Sequence, residues 1–409
     1  MSGAAAKPAG AVIPILMLIT FVGMLGFGLV NPMIPLYATK LGLTPETATL
    51  IVASYSFAQF VGAPLWGKIS DAFGRKRVLI WTTAGAMGGY ALLAFADSIA
   101  LLLAARVISG FCAGNLTAAQ AFASDVTSPQ ERAGAMGKIG SAFALGTVAG
   151  PAVGGLLAGG TSYETANFMA PPMAACLMSL LAMLLTIFVL PASPPPRAPR
   201  TGAEDKAARR LWQRPVFVML VAITLLAFAT TASRESVLSL WLHDRWSLAT
   251  AEMGLLFSYN GLVITLFQGF GTGWMTKKIG DANMVRLGVI AYALGLVGLA
   301  LAPSFPFVIA ATTLNAIGVA VFSANLPSVF SQNAAPHERG LVLGLFQSSG
   351  ALARFIGPTY AGSLYAQFGA NAPFLFGAAL LMPALLISLF GLTRVNVSRA
   401  PTSTMKQAD

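Results

Sequence analysis

Charge is scarce in this sequence. Only 10% of its 409 residues are Asp, Glu, Lys or Arg, while 56% are hydrophobic, and the mean hydropathy is +0.74. A soluble globular chain carries about 25% charged residues. So few charges cannot clothe a water-facing surface, and a soluble protein is excluded. Acids are scarcer than bases, 14 against 25. There are two histidines, His243 and His337, and two cysteines, Cys112 and Cys176. None sits in a metal-ligand spacing, and two thiols within apolar runs make no disulfide framework; they read as small buried hydrophobes. No nucleophile motif or phosphate loop is present, so neither an enzyme nor a cofactor or metal is expected. The strict alternation of a membrane β-barrel is missing too.

Long apolar runs fill the space. A spanning helix needs roughly 20 apolar residues. Twelve runs qualify: about 12–37, 47–66, 78–96, 99–123, 135–159, 168–190, 216–242, 252–274, 284–302, 306–330, 341–365 and 372–392. Lipid offers no partner to an unpaired backbone group, so an all-α membrane bundle is expected. The start, "MSGAAAKPAG", runs into a long apolar stretch ending "NPMIPLY", which reads as the first span rather than a cleaved leader.

The net charge of +11 is informative by its placement. With the N-terminus cytoplasmic, 20 of the 25 basic residues fall in cytoplasmic segments, and only Lys40 and Arg245 fall outside. Arg106, Arg234 and Arg354 lie inside predicted spans. That asymmetry is the positive-inside signature. It predicts both termini in the cytoplasm and argues against nucleic acid as the partner of a basic chain.

"PASPPPRAPRTGAEDKAARRLWQRP" divides the chain. It reads as a cytoplasmic linker, 191–214, between six-span bundles at 1–190 and 215–409. The halves echo each other. "SPQERAGAMG" returns as "APHERGLVLG" at an offset of 207, and Gly150-Pro151 returns as Gly357-Pro358 at the same offset. Gly67 and Gly74 return as Gly273 and Gly280 at 206. A constant offset implies duplication, with the halves related by an axis along the membrane normal and a central site between them.

Several spaced motifs follow. Gly67, Asp71, Gly74 and Arg75-Lys76-Arg77 lie between spans 2 and 3; Arg106, Gly110 and Gly114 lie on span 4; Gly137, Gly146, Gly150-Pro151 and Gly155 lie on span 5; and span 1 ends "GFGLVNPMIP". In this order the sequence resembles the major facilitator superfamily, over nearly its whole length. It looks most like the drug:proton antiporter branch that holds bacterial tetracycline and multidrug efflux pumps. The resemblance implies twelve helices in two pseudo-symmetric bundles and secondary transport of a small molecule, with protons as coupling ion. It also implies the bacterial inner membrane as location. It further implies that Asp71 faces the start of span 11 and that Arg75 approaches Asp125, latching the halves on the cytoplasmic side. The simpler alternative is that the loop's charges only anchor the cytoplasmic face. The span 5 glycines permit close helix approach, as a hinge or seal, or for packing alone. One departure concerns the substrate. Tetracycline pumps carry an aspartate near the position of Gly23, which argues against tetracycline itself.

An ionisable residue inside a membrane is a functional candidate by default. Glu235 on span 7 is the acid well inside a span and the candidate proton carrier, with a structural ion-pair partner as the alternative. Arg106 is the candidate modulator of its proton affinity. Arg234 and Arg354 are candidate anchors for an anionic or zwitterionic substrate. Asn31, Gln59, Asn115, Gln120, Tyr259, Asn260, Gln268, Asn325 and Gln347 are the candidate polar lining, with aromatics such as Tyr55, Phe57 and Phe346 beside them. The function expected is proton-coupled export of a small amphipathic compound by a monomer in the lipid bilayer. The alternatives are an organic-anion or lipid transporter, or uniporter, of the same fold, and a non-transporting receptor.

Overall fold

The structure is a computed structural model and describes residues 9–113, 115–128, 131–160, 165–191, 211–335 and 338–391. The helices are α1 (Ala9–Val30), α2 (Ile34–Lys40), α3 (Pro45–Phe73), α4 (Arg75–Ala94), α5 (Ile99–Phe111), α6 (Asn115–Val126), α7 (Arg132–Ala158) and α8 (Ala170–Phe188). After the linker come α9 (Pro215–Trp246), α10 (Thr250–Leu266), α11 (Thr272–Ile279), α12 (Asp281–Ala300), α13 (Phe305–Gln332), α14 (Arg339–Phe368) and α15 (Ala372–Gly391). No strand occurs among the described residues.

These helices build the twelve crossings predicted, three of them from pieces. Span 1 is α1 and α2 joined by a 3₁₀ turn, Asn31–Met33, because Pro32 and Pro35 remove the amides an α-helix would need there. Span 4 is α5 and α6, parted at Cys112. Span 8 is α10 and α11 joined by a π segment, Phe267–Gly271. Ten of the crossings are long and apolar enough by themselves to cross a membrane, among the described residues. Spans 3 and 4 are the others. Span 3 opens on Arg75-Lys76-Arg77, and span 4 is divided. Several crossings outrun their apolar cores. Span 7 holds 32 residues, roughly 48 Å at about 1.5 Å per residue.

The breaks leave few loose ends. The carbonyl of Phe111 at the end of α5 accepts the Trp66 indole N–H at 2.7 Å. At the ends of spans 6 and 12, exposed carbonyls are taken by basic side chains. Lys76 Nζ donates to Ile187 and Leu190 at 2.8 and 2.6 Å, and Arg286 donates twice to Ser388 at 3.2 and 2.8 Å. A cation suits a helix C-terminus on both hydrogen-bonding and dipole grounds. Gly74 and Gly280 each turn the chain between two helices at φ +91 and +80, a left-handed conformation that favours glycine. This is why both copies of the loop keep them.

The repeat is visible in packing. A Cβ on Gly150 would meet the backbone of Gly28 in span 1 at 2.6 Å; one on Gly357 would meet the amide of Ser233 in span 7 at 2.7 Å. Spans 1 and 5 thus meet as spans 7 and 11 do. The first six crossings touch the last six chiefly through spans 2 with 11 and 5 with 8.

Those contacts sit at one end. The end carrying residues 67–77, 190 and 215 is termed the linker face, and the other the far face. At the far face Gly362 of span 11 packs on Pro45, Glu46 and Thr49 of span 2, and Gly155 of span 5 packs on Thr250, Ala251 and Gly254 of span 8. Thr250 donates to the carbonyl of Gly159 at 2.5 Å, the amide of Ala152 donates to Ser258 at 2.8 Å, and Gln367 donates to Glu46 at 3.3 Å. Toward the linker face, Gly67, Gly137, Gly269, Gly273, Gly340 and Gly344 all border open space. The molecule is shut at the far face and open at the linker face.

Candidate functional site

The opening ends on charged residues that the fold draws together from both halves. On span 7 the residues around Glu235 are buried, Ala232 to Arg234 and Ser236 to Leu242, while the Glu235 side chain is 45% exposed. One turn earlier Thr231 is half-buried. Span 7 is wrapped by spans 1, 2, 10, 11 and 12, so this exposure belongs to the space between the halves. Arg354 of span 11 is half-buried, acts electrostatically on both Glu235 and Tyr55, and forms no ion pair or hydrogen bond among the described residues. Arg234 points the other way. It is 2% exposed, its Nη2 lies 3.9 Å from Glu235, and its Nε and Nη1 have no partner among the described residues. At 3.9 Å the pair is a charge contact without a hydrogen bond. Tyr292 of span 9 adjoins it.

The first half contributes Arg106, which is 1% exposed. Its Nη2 donates to Asn31 at 3.0 Å, and its guanidinium lies 4.5 Å from the centre of the Tyr55 ring. That stacking places a cation on the negative face of an aromatic ring. Tyr55 thus stacks on Arg106 and also senses Arg354 of the other half. Phe27 packs on Tyr55, and Phe57 on Phe355, with ring centres 5.2 and 5.1 Å apart. The close contacts also align the repeats here. Gly150 meets Leu25 and Gly28, and Gly357 meets Ala229 and Ala232. The offset between those pairs is 204, which pairs Asn31 with Glu235.

The remaining candidates divide. Gln347 is exposed; Gln59 and Gln120 are half-buried. The side chain of Asn115 lies outside the described residues. Tyr259 shares a 2.7 Å hydrogen bond with Thr313, and Gln268 donates to Ser323 at 3.0 Å. Asn325 is buried, accepting from Thr276 at 2.8 Å. Asn260 is buried with Oδ1 unpartnered among the described residues.

At the linker face Arg75 Nη1 pairs with Asp71 at 2.7 Å and Arg75 Nε with Asp125 at 3.1 Å, while Nη1 also donates to Ser70 at 2.9 Å. Asp71 makes no ion pair or hydrogen bond to span 11 among the described residues, and its side chain is 47% exposed. The elements of the expected latch in the first half are joined, and the surface across from them stands clear in this open arrangement. The second copy carries its acid elsewhere: Asp281 accepts from Gln332 at 2.7 Å, and Lys278 lies over the Trp274 ring at 4.0 Å. The repeated Glu-Arg turns also match. Glu131 accepts from the Ser128 hydroxyl at 2.8 Å, which holds its carboxyl below the usual range. Glu338 accepts the Ala335 amide at 3.2 Å and a two-pronged pair from Arg214 at 2.9 and 3.1 Å. On span 5, Gly146 and Gly150 face span 1, while Pro151 and Gly155 face span 8. Gly114 lies outside the described residues.

The family model for the Major Facilitator Superfamily matches residues 16–245 and 232–408. The chain belongs to that superfamily. It is 30% identical over 394 residues to the tetracycline resistance protein, class C, of Escherichia coli, covering 93% of this chain and 95% of that protein. Its fold is similar to the crystal structure of the human organic anion transporter MFSD10 (TETRAN), with 26% identity, a TM-score of 0.69 and coverage of 94% and 100%. A single-site mutant of the nucleoside transporter NupG shares the fold at a TM-score of 0.79, 13% identity, and coverage of 94% of this chain and 100% of that one. The protein is thus a multi-pass membrane transporter of this superfamily, built for a small-molecule substrate, and not an enzyme.

Proposed function

We propose that this transporter exports a small amphipathic compound in exchange for protons, by alternating access. Two bundles, residues 1–190 and 215–409, rock about the central opening, with 191–214 as the tether. The reading places the linker face and both termini in the cytoplasm of a bacterial inner membrane, so that the structure is the inward-open state of a monomer. Glu235 carries the proton, and Arg106, fixed by Asn31 and by the Tyr55 ring, acts on it at a remove, through Tyr55 and Arg354.

One observation carries this reading: the Glu235 side chain, inside span 7, is 45% exposed in a molecule that is shut at the far face. An acid inside a span that can be reached from one side at a time is what proton exchange requires. Asp71, Arg75 and Asp125 then form the moving half of a latch that closes on the positive N-terminus of span 11 in the opposite state. The test is transport by purified protein in liposomes under an imposed pH gradient. Glu235→Gln is expected to abolish the response to the gradient; full coupling in that variant overturns the assignment. A second reading, an organic-anion transporter, draws on the free guanidinium of Arg354 and on the named substrate class of MFSD10. Loss of anion binding in Arg354→Ala, with no effect of pH, favours it.

A further inference from the structure

Glu235 and Arg354 differ from the other charged groups of the core in one respect. Arg106 is covered and its charge is shared with Asn31 and the Tyr55 ring. Arg75, Asp71, Asp125, Arg214 and Glu338 are paired. Glu235 and Arg354 face the opening from neighbouring spans 7 and 11, sense each other electrostatically, and form no ion pair with one another. Spans 7 and 11 pack closely along their length, and glycine at 357 brings them within van der Waals contact one turn from Glu235. Glu235 meets Arg234 at 3.9 Å without a hydrogen bond, and Arg354 has no ion-pair partner among the described residues, so each keeps hydrogen-bonding capacity for a ligand.

We infer that the central site takes a zwitterionic amphiphile, whose cationic group sits against Glu235 and whose anionic group sits against Arg354. This rests on the reading that Glu235 exchanges protons, and supplies its chemistry. A substrate ammonium binds the carboxylate only after the proton has left, so amine and proton compete for one site. A substrate carboxylate on Arg354 adds charge-assisted hydrogen bonds without competing with the proton. A purely anionic ligand would load more readily when Glu235 is protonated, and would couple in the opposite sense. Antiport at a site that offers one acid, Glu235, and one open arginine, Arg354, therefore selects a ligand that bears both charges. Phe27, Phe57, Phe355 and Tyr55 supply apolar surface beside the charges for the rest of the molecule.

The groups acting on Glu235 are few. Arg234 adjoins it on its own span, Arg354 faces it from span 11, and Tyr292 from span 9 reaches it through Arg234. Tyr55 of span 2 lies beyond Arg354. Spans 1, 10 and 12 add no charge acting on it among the described residues.

Three matched probes test the inference on full-length protein in detergent: Nε-dansyl-lysine, a zwitterion; its Nα-acetyl derivative, an anion; and its methyl ester, a cation. Binding is read by dansyl fluorescence, and proton release by an indicator dye in weak buffer. The zwitterion is expected to bind more tightly than either derivative, by about 10- to 100-fold for the charge-assisted contact each derivative loses, and to release protons. Glu235→Gln is expected to erase the preference for the free amine and the proton release. Arg354→Ala is expected to erase the preference for the free carboxylate. These switches in preference are effects that loss of folding cannot mimic. Equal or tighter binding of either derivative by the parent protein, or no binding of any probe, overturns the inference. Selectivity for the zwitterion without proton release upholds the two-charge site and removes the proton-exchange reading. Gradient-driven transport by a protein that selects only the cation keeps proton exchange and discards the zwitterion.

Discussion

Replacing Gly362 by alanine or valine should force the far face apart. A Cβ at this position would lie 2.6 Å from the carbonyl oxygen of Pro45 and 2.7 Å from Cα of Glu46. Both are backbone atoms of span 2 and cannot rotate aside. Ordinary contact begins near 3.4 Å, so spans 2 and 11 must part by roughly 0.8 Å, which forfeits part of their dispersion energy. Overpacking of this kind costs about 1–3 kcal/mol. In the proposed alternating-access cycle spans 2 and 11 part at the far face in the opposite state, so the cost is expected to fall on the far-closed state. A bias of that size shifts the equilibrium roughly 5- to 150-fold toward the state open at the far face. Spin labels at Asp97→Cys and Ser304→Cys, in a Cys112→Ser/Cys176→Ser background, sit on exposed loops of the two halves at the far face. Their separation by pulsed dipolar spectroscopy should be single and short in the parent, and acquire a longer component in Gly362→Ala. Gly362→Val should move further. An unchanged distribution in both variants would refute the claim that this contact holds the far face shut.

Thr250→Val removes the hydroxyl that meets the Gly159 carbonyl; a shift of about 1 kcal/mol toward the far-open state is expected, seen with the same labels, and no shift would mean that the bond is incidental. Arg75→Ala leaves Asp71 and Asp125 without their shared cation; a fall of tenfold or more in transport, with retained substrate binding, is expected for a latch, whereas loss of both together points to misfolding. Arg286→Ala uncaps the Ser388 carbonyl at the end of span 12; thermal unfolding should come earlier by a few degrees, at about 1–3 kcal/mol for a charged hydrogen bond, with substrate binding unaltered at a saturating concentration. Tyr55→Phe keeps the ring over Arg106 and should be close to neutral, while Tyr55→Leu removes the cation–π contact, worth about 2 kcal/mol when desolvated, and should depress transport about tenfold or more.

Much of this architecture is written in the chain. Apolar length gives the crossings, because hydrocarbon thickness sets a minimum run. The offset of 207 gives the repeat, and packing displays it again where Gly150 and Gly357 meet spans 1 and 7. The three-residue cluster of Asp71, Arg75 and Asp125 follows from family resemblance, and the structure brings its members together. Other features could not be read. Span 4 is parted at Cys112 with no proline to mark the place, and Trp66, 45 residues away, takes the freed carbonyl of Phe111. The π segment at Phe267–Gly271 has no proline to announce it. Composition alone did not rank the polar residues either. Asn325 and Asn31 look alike in sequence, yet one bonds Thr276 and the other Arg106. Lys76 and Arg286 read as anchors of loops, and also cap the ends of spans 6 and 12. In each case the deciding partner comes from a distant span, and local pattern carries no record of it.

Solid-supported membrane electrophysiology on proteoliposomes holding Glu235→Gln tests the central claim most directly, run beside substrate exchange at equal pH on both sides. The account predicts that the variant loses proton-driven current while still exchanging substrate across the membrane. Proton-driven current at the parent level in Glu235→Gln would contradict it.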